Sequence, residues 1–286
     1  MVGSPAHFRQ FAVIDWSGAK GRRHKGIAVA LCEQGCAAPV LVPAPDGVWS
    51  RTAVLDWLLT KRDAPLLVGF DFSFSAPFVE RGAHLPGDAA TSDARALWAS
   101  VDAESDDADL GAASFIERRR GTHFYLGAAD GTKADFLFWR RCEIASDGGR
   151  KPSTVYDAIG AAQVAKASFA GMRLLHRLDR AIPVWPFDPP SATGATVVEI
   201  YTSIAARAAG VPAGRSKIRD PGALDAALAA FASAAHAPLR QYDDHSTDAI
   251  VGAAWLRRHA CTEKFWHPPA MTAHIAATEG WTFGVT

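Results

Sequence analysis

The chain has 286 residues, in which 30 lysines and arginines balance 30 aspartates and glutamates. Apolar residues make up 49% and charged residues 21%, which excludes a disordered polyelectrolyte. The zero formal charge excludes the global basic excess that coats nucleic acid indiscriminately, while leaving the surface distribution of charge open. Four cysteines (Cys32, Cys36, Cys142, Cys261) are too few and too irregular for a secreted disulfide framework. Cys32 and Cys36 have no second Cys/His pair at ligand spacing and read as ordinary thiols rather than half a zinc site. No basic-then-apolar leader and no apolar run of bilayer length occurs, so the expectation is a soluble, cytoplasmic protein with no membrane partner.

Three strands are predicted in quick succession: Phe11-Ala-Val-Ile-Asp15, Gly26-Ile-Ala-Val-Ala-Leu-Cys32 and Ala38-Pro-Val-Leu-Val42, separated by Gly and Pro. Short turns between them imply an antiparallel meander. Ser50 is a helix N-cap candidate, followed by Val54, Leu55, Leu58 and Leu59 at helical spacing up to Lys61 and Arg62. Leu66-Leu-Val-Gly-Phe-Asp71 reads as a fourth, buried strand. Residues from about 80 to 150 are irregular, acidic from Asp102 to Asp109 and basic at Glu117-Arg-Arg-Arg120 and Arg140-Arg141, and read as an insertion. A long Ala-rich helix is predicted from Pro152-Ser153 to about Arg180, then a fifth strand at Ala195–Tyr201, a helix from Pro221 to about Ala235, and a last helix opening at Asp244. No repeat or linker composition breaks the chain, so residues 1–286 are expected to form one α/β domain with a mixed five-stranded sheet flanked by helices, and the insertion between strands four and five.

Two of these strands end in an aspartate, Asp15 and Asp71, and strand ends are where open α/β sheets bind ligands. A third acidic group, Asp243-Asp244-His245-Ser-Thr-Asp248, opens the last helix, where 244 and 248, and 245 and 248, share a face. Each acid alone has an ordinary explanation, as a turn partner (Asp15), a helix cap (Asp244) or an acceptor from Ser73 (Asp71). Together they form a set of like charges that repel by roughly 1 kcal/mol per close pair in water and more when desolvated. A divalent cation relieves that repulsion, and carboxylates with one imidazole suit Mg²⁺ or Mn²⁺. Glu199 lies on the opposite face of its strand from Val198 and Ile200, and either extends the acidic site or pairs with a cation.

The segments Ala12-Val-Ile-Asp15-Trp-Ser-Gly18, Val68-Gly-Phe-Asp71, Val197-Val-Glu-Ile-Tyr201 and Asp243-Asp-His-Ser-Thr-Asp248-Ala249, taken in that order, resemble the predicted nucleases of the ribonuclease H-like fold known as the DUF429 group. The closing His245-x-x-Asp248 is also similar to the final-helix motif of RuvC-type junction resolvases. The resemblance implies a ribonuclease H-like domain with Asp15, Asp71 and Asp248 as catalytic acids and a metal site drawn from Asp15, Asp71, His245 and Asp248. Asp244 is the alternative to His245 as third ligand, because the Asp243-Asp244 pair stands one residue further from Asp248 than in the family.

The implied activity is metal-dependent hydrolysis of phosphodiesters in structured or single-stranded nucleic acid. Arg118, Arg119 and Arg120, helped by His123, Arg140, Arg141 and Lys151, are the expected phosphate contacts. Phe124, Tyr125 and Trp139 either stack on bases or belong to the core. Two other readings stand beside this one. Asp15-Trp-Ser-Gly18 with Lys20 also resembles the phosphate-facing turn of actin-like phosphotransferases, although those need two copies of the fold. A non-catalytic module binding nucleic acid or a small ligand is the third.

Overall fold

The computed structural model describes residues 7–146, 152–159, 164–211 and 218–286. In chain order the strands and helices are β1 (Gln10–Asp15), β2 (Ala28–Glu33), β3 (Val40–Leu41), α1 (Arg51–Thr60), β4 (Leu66–Asp71), α2 (Ala94–Glu104), α3 (Ala113–Arg118), α4 (Arg141–Ala145), α5 (Val164–Arg177), β5 (Val184–Trp185), β6 (Thr196–Glu199), α6 (Thr202–Ala208), α7 (Pro221–Ala229), α8 (Asp244–His259), α9 (Glu263–Trp266) and α10 (Ala273–Thr278). They form an α/β structure around one mixed sheet in the order β3-β2-β1-β4-β6-β5. β2 is antiparallel to both β1 and β3, whereas β1, β4, β6 and β5 run parallel to their neighbours. The sheet therefore has six strands rather than the expected five. The additional strand, β5, is a two-residue edge whose register places Val184 beside Val197 and Trp185 beside Val198.

β1 and β4 are the central strands, covered by helices on both faces, and this is why their sequences are near-continuous apolar runs rather than alternations. Alternate residues still divide between two cores. Ala12 and Ile14 join Val68 and Phe70 beneath α1, α2 and α5, while Phe11 and Val13 join Leu67 and Val198 beneath α7 and α8. Segment 80–150 is woven into the first core: Trp98 of α2 is buried in the same cluster as Phe70 and donates its indole N–H to the Phe74 carbonyl at 2.7 Å. The acidic run 102–109 is likewise engaged, with Asp102 paired to Arg173 and Arg177, and Asp107 accepting from Ser114.

Two predicted helices are shorter than their composition suggested. Of the one expected from Pro152 to about Arg180, the described residues form a helix over Val164–Arg177; residues 152–159 are not helical, because their backbone pairs with Tyr125, Tyr125 N donating to the Tyr156 carbonyl and Ala158 N to the Tyr125 carbonyl. The helix expected to reach Ala235 ends at Ala229, after which Ala232 takes a positive φ of 54°. By contrast, Ser50 caps α1 by accepting from Ala53 N, and Asp243 caps α8 by accepting from Ser246 N at 2.9 Å. Among the described residues, no helix is long and apolar enough to cross a membrane.

Candidate functional site

The parallel register of β1 and β4 sets Asp15 directly beside Asp71 at the end of both strands. Both line a cleft of about 680 Å³ at that edge of the sheet. Asp71 accepts from the Thr202 hydroxyl at 2.7 Å and from the Thr202 backbone N–H at 3.3 Å. These bonds favour the ionised form, but burial and the neighbouring Asp15 outweigh them and push the Asp71 carboxyl up to about 7. The turn after β1 is held close: a Cβ on Gly18 would lie 2.4 Å from the Ala167 backbone nitrogen, and the Trp16 indole donates to the Ala167 carbonyl at 3.1 Å. Side-chain-free backbone at Gly18 is what lets α5 and the Asp15 turn approach each other.

α8 brings the third acidic group to the same place. It lies so close over β1 that a Cβ on Gly252 would stand 2.9 Å from Val13 Cγ1. His245 in its first turn donates from Nδ1 to Asp15 Oδ2 at 2.6 Å, and this bond, with the nearby charges of Asp15, Asp243 and Asp244, raises the imidazole above its ordinary value against the opposing effect of burial. Asp244 and Asp248 also line the cleft, Asp244 pairing with Arg219 at 2.7 Å. The structure thus brings together Asp15, Asp71, Asp244, His245 and Asp248, with His245 bonded to an acid of the set and Asp244 turned to an external cation.

Neither protein-family models nor comparisons with curated proteins and solved structures give a match to this chain.

The cleft floor is a buried ion network that holds Glu199. Arg140, 1% exposed, reaches the two Glu199 carboxylate oxygens with Nη1 and Nη2 (2.7 and 2.5 Å) and Glu143 Oε1 with Nε at 3.0 Å. Glu199 accepts in addition from Phe74 N at 2.7 Å and Thr282 Oγ at 2.6 Å. Its carboxylate is therefore fully bonded, and it shapes the floor. Glu143 is pushed up by burial against the opposing pull of Arg140, and Cys142 up to about 12 by burial. Residues 279–285 close the back of the network: Glu279 accepts from Phe78 N, Val79 N and Arg141 N, Phe283 N donates to the Glu199 carbonyl, and Val285 lines the cleft.

The arginines of the insertion lie elsewhere. Arg118 pairs with Asp106 at 2.9 Å, Arg119 with Asp88 and Glu104 at 2.5 and 2.6 Å while lying over the Phe115 ring, and Arg120 with Asp130 at 2.6 Å. None of the three lines the cleft. His123 joins Asp88, and Arg141 joins Glu80. Phe124 is wholly buried in the core, and Trp139 donates to the Pro152 carbonyl. Lys151 lies outside the described residues. Arg140, expected as a phosphate contact, is instead buried and committed to Glu199 and Glu143. What the sequence pattern missed is Glu143, Thr202 and Thr282; only the i,i+3 spacing of Arg140 and Glu143 carried a local signal.

Among the described residues, no three His, Cys, Asp or Glu side chains stand ready as a closed metal cage. Mg²⁺ does not need one, since it is commonly held by one or two carboxylates, with waters and substrate phosphates completing its octahedron. Asp15 and Asp71, two oxygen donors side by side in a cleft, fit that pattern.

Proposed function

We propose that this chain is a Mg²⁺- or Mn²⁺-dependent phosphodiesterase acting on nucleic acid, built as one ribonuclease H-like domain elaborated by the segment at about 80–150. One observation carries the reading: Asp15 and Asp71 are register partners on adjacent parallel strands. Two carboxylates held this close in a partly desolvated cleft repel unless a proton or a cation sits between them. The strand order β3-β2-β1-β4-β6, with β2 alone antiparallel to its central neighbour β1, supports the ribonuclease H-like assignment.

Asp15 and Asp71 would hold the cation, with Asp248 across the cleft as the further acid. When bound, the cation supplies Lewis acidity to the phosphoryl oxygens and activates water. The chain's own residues do the rest. His245 fixes the orientation of Asp15, and the bond to Asp15 favours its protonated form. Thr202 fixes Asp71 through its hydroxyl and backbone N–H. Arg140 and Glu199 hold the cleft floor rigid beneath them.

The direct test is incubation with Mn²⁺ and branched, single-stranded and RNA–DNA hybrid substrates. Cleavage by the unaltered protein and none by Asp15→Asn is expected; equal, background-level products from both would sink the assignment. A thermal shift with millimolar Mn²⁺ but no cleavage would favour a metal-binding module without catalysis.

A further inference from the structure

The 16–27 loop joining β1 to β2 carries Lys20, Arg22, Arg23 and Lys25, four cations in six residues and all exposed. Among the described residues none of them pairs with a carboxylate; Arg23 donates to the Asp46 backbone carbonyl instead. This sets them apart from Arg118, Arg119 and Arg120, each of which is neutralised by an acid. The loop is not loosely attached. Buried Arg51 donates to the Ser17 carbonyl from Nε and Nη2 (3.1 and 2.7 Å) and to the Ala19 carbonyl at 2.8 Å. Buried His24 bonds Asp109 at 2.9 Å, and its backbone N–H donates to the Trp49 carbonyl. Both ends of the loop, at Gly18, Ala19 and Gly26, line the acidic cleft, and a Cβ on Gly26 would stand 3.3 Å from the His245 ring.

A charge-neutral chain therefore displays a fixed strip of unpaired positive charge at the rim of its negative cleft. We propose that Lys20, Arg22, Arg23 and Lys25 form a docking strip for the sugar-phosphate backbone of a single nucleic-acid strand, beside the acids of the cleft. The strip rests on the phosphodiesterase reading for its choice of polyanion. The opposed charges divide the work: the cations engage backbone phosphates flanking the cleft, while the acids exclude bare phosphate from it unless a cation is bound. Arg22 and Arg23 also line a depression of about 520 Å³ that contains Asp46 and Asp109.

The test uses the full chain with all four residues changed to serine (Lys20→Ser, Arg22→Ser, Arg23→Ser, Lys25→Ser) and, as a second variant, Lys20→Glu with Lys25→Glu, which leaves the Arg23 bond intact. Binding of a fluorescent single-stranded oligonucleotide is measured in EDTA against salt, and hydrolysis of bis(p-nitrophenyl) phosphate is measured in Mn²⁺. Loss of four phosphate contacts should make the slope of log affinity against log salt shallower by roughly 3 and weaken binding by roughly tenfold or more at low salt. The small diester should be cleaved as before, and Arg118→Ser with Arg120→Ser should bind as the unaltered protein does. Unchanged affinity and slope in both loop variants overturns the strip, as does loop-dependent capture by anionic vesicles without binding to the oligonucleotide. If no diester is cleaved yet binding still depends on the loop, the hydrolytic reading fails and the strip stands; if cleavage holds and binding ignores the loop, the strip fails alone.

Discussion

Asp71 reverses the usual behaviour of a functional carboxylate. In the unfolded chain it releases its proton near the ordinary value of about 3.9, whereas in the folded chain burial and Asp15 hold the proton up to about 7. Between those values the folded state binds more protons, so metal-free stability falls as pH rises through that window, opposite to a salt-bridged aspartate. Asp71→Asn should therefore melt higher than the unaltered protein at pH 8 and gain little at pH 5, as read from Tm against pH. A divalent cation competes with that same proton, so the Mn²⁺-induced rise in Tm should be larger at pH 8 than at pH 5.5. His245 works in the other direction. Its folded value lies above the unfolded one, so its bond to Asp15 contributes fully below about 6.5 and fades as pH rises through the raised value. His245→Ala should lower Tm at pH 6 and have a smaller effect at pH 9.

At the scale of elements, two glycines decide how closely helices approach the strand ends. Gly252→Ala sets a methyl group 2.9 Å from Val13 Cγ1 and should cost roughly 1–3 kcal/mol in chemical denaturation, since α8 must lift from β1. Lifting α8 also draws His245 from Asp15, so the pH dependence of Tm should change with it. Gly18→Ala meets backbone rather than a side chain, at 2.4 Å from Ala167 N, and should disturb the Asp15 turn more. The strands were legible because β1 and β4 are short apolar runs punctuated by Gly, Pro and a terminal Asp, and their cores demand it. β5 was not, because Val184 and Trp185 stand between Pro183 and Pro186, a pattern that reads as a turn. Residues 152–159 read as helix because Ala-rich composition follows them, whereas the backbone pairing of Tyr156 and Ala158 with Tyr125, a long-range contact, overrides local propensity there.

For the molecule as a whole, the acids of the cleft were readable as strand-end and helix-start residues, but the floor beneath them was not. Arg140 meets Glu199 across 59 residues of sequence, and long-range ion pairs leave no local pattern. The arginines at 118–120 drew attention because they are contiguous, while their neutralising acids lie 10 to 31 residues away. Arg140→Met should destabilise the chain by roughly 3–5 kcal/mol, because it leaves Glu199 and Glu143 buried without a counter-charge. Adding Glu199→Gln and Glu143→Gln should recover much of that loss, measured by the same denaturation series.

The back of the cleft is supplied by residues 279–285, which bond to Glu199, to the Arg140 segment and to the loop at Phe78 and Val79. Asp15 and Asp71, by contrast, are placed by strands that precede residue 72. During synthesis the two acids are thus made more than 200 residues before the segment that encloses them. A nascent chain carries its acidic pair long before it owns a cleft, so a chain truncated before residue 279 should cleave no diester in Mn²⁺ under conditions in which the unaltered chain does.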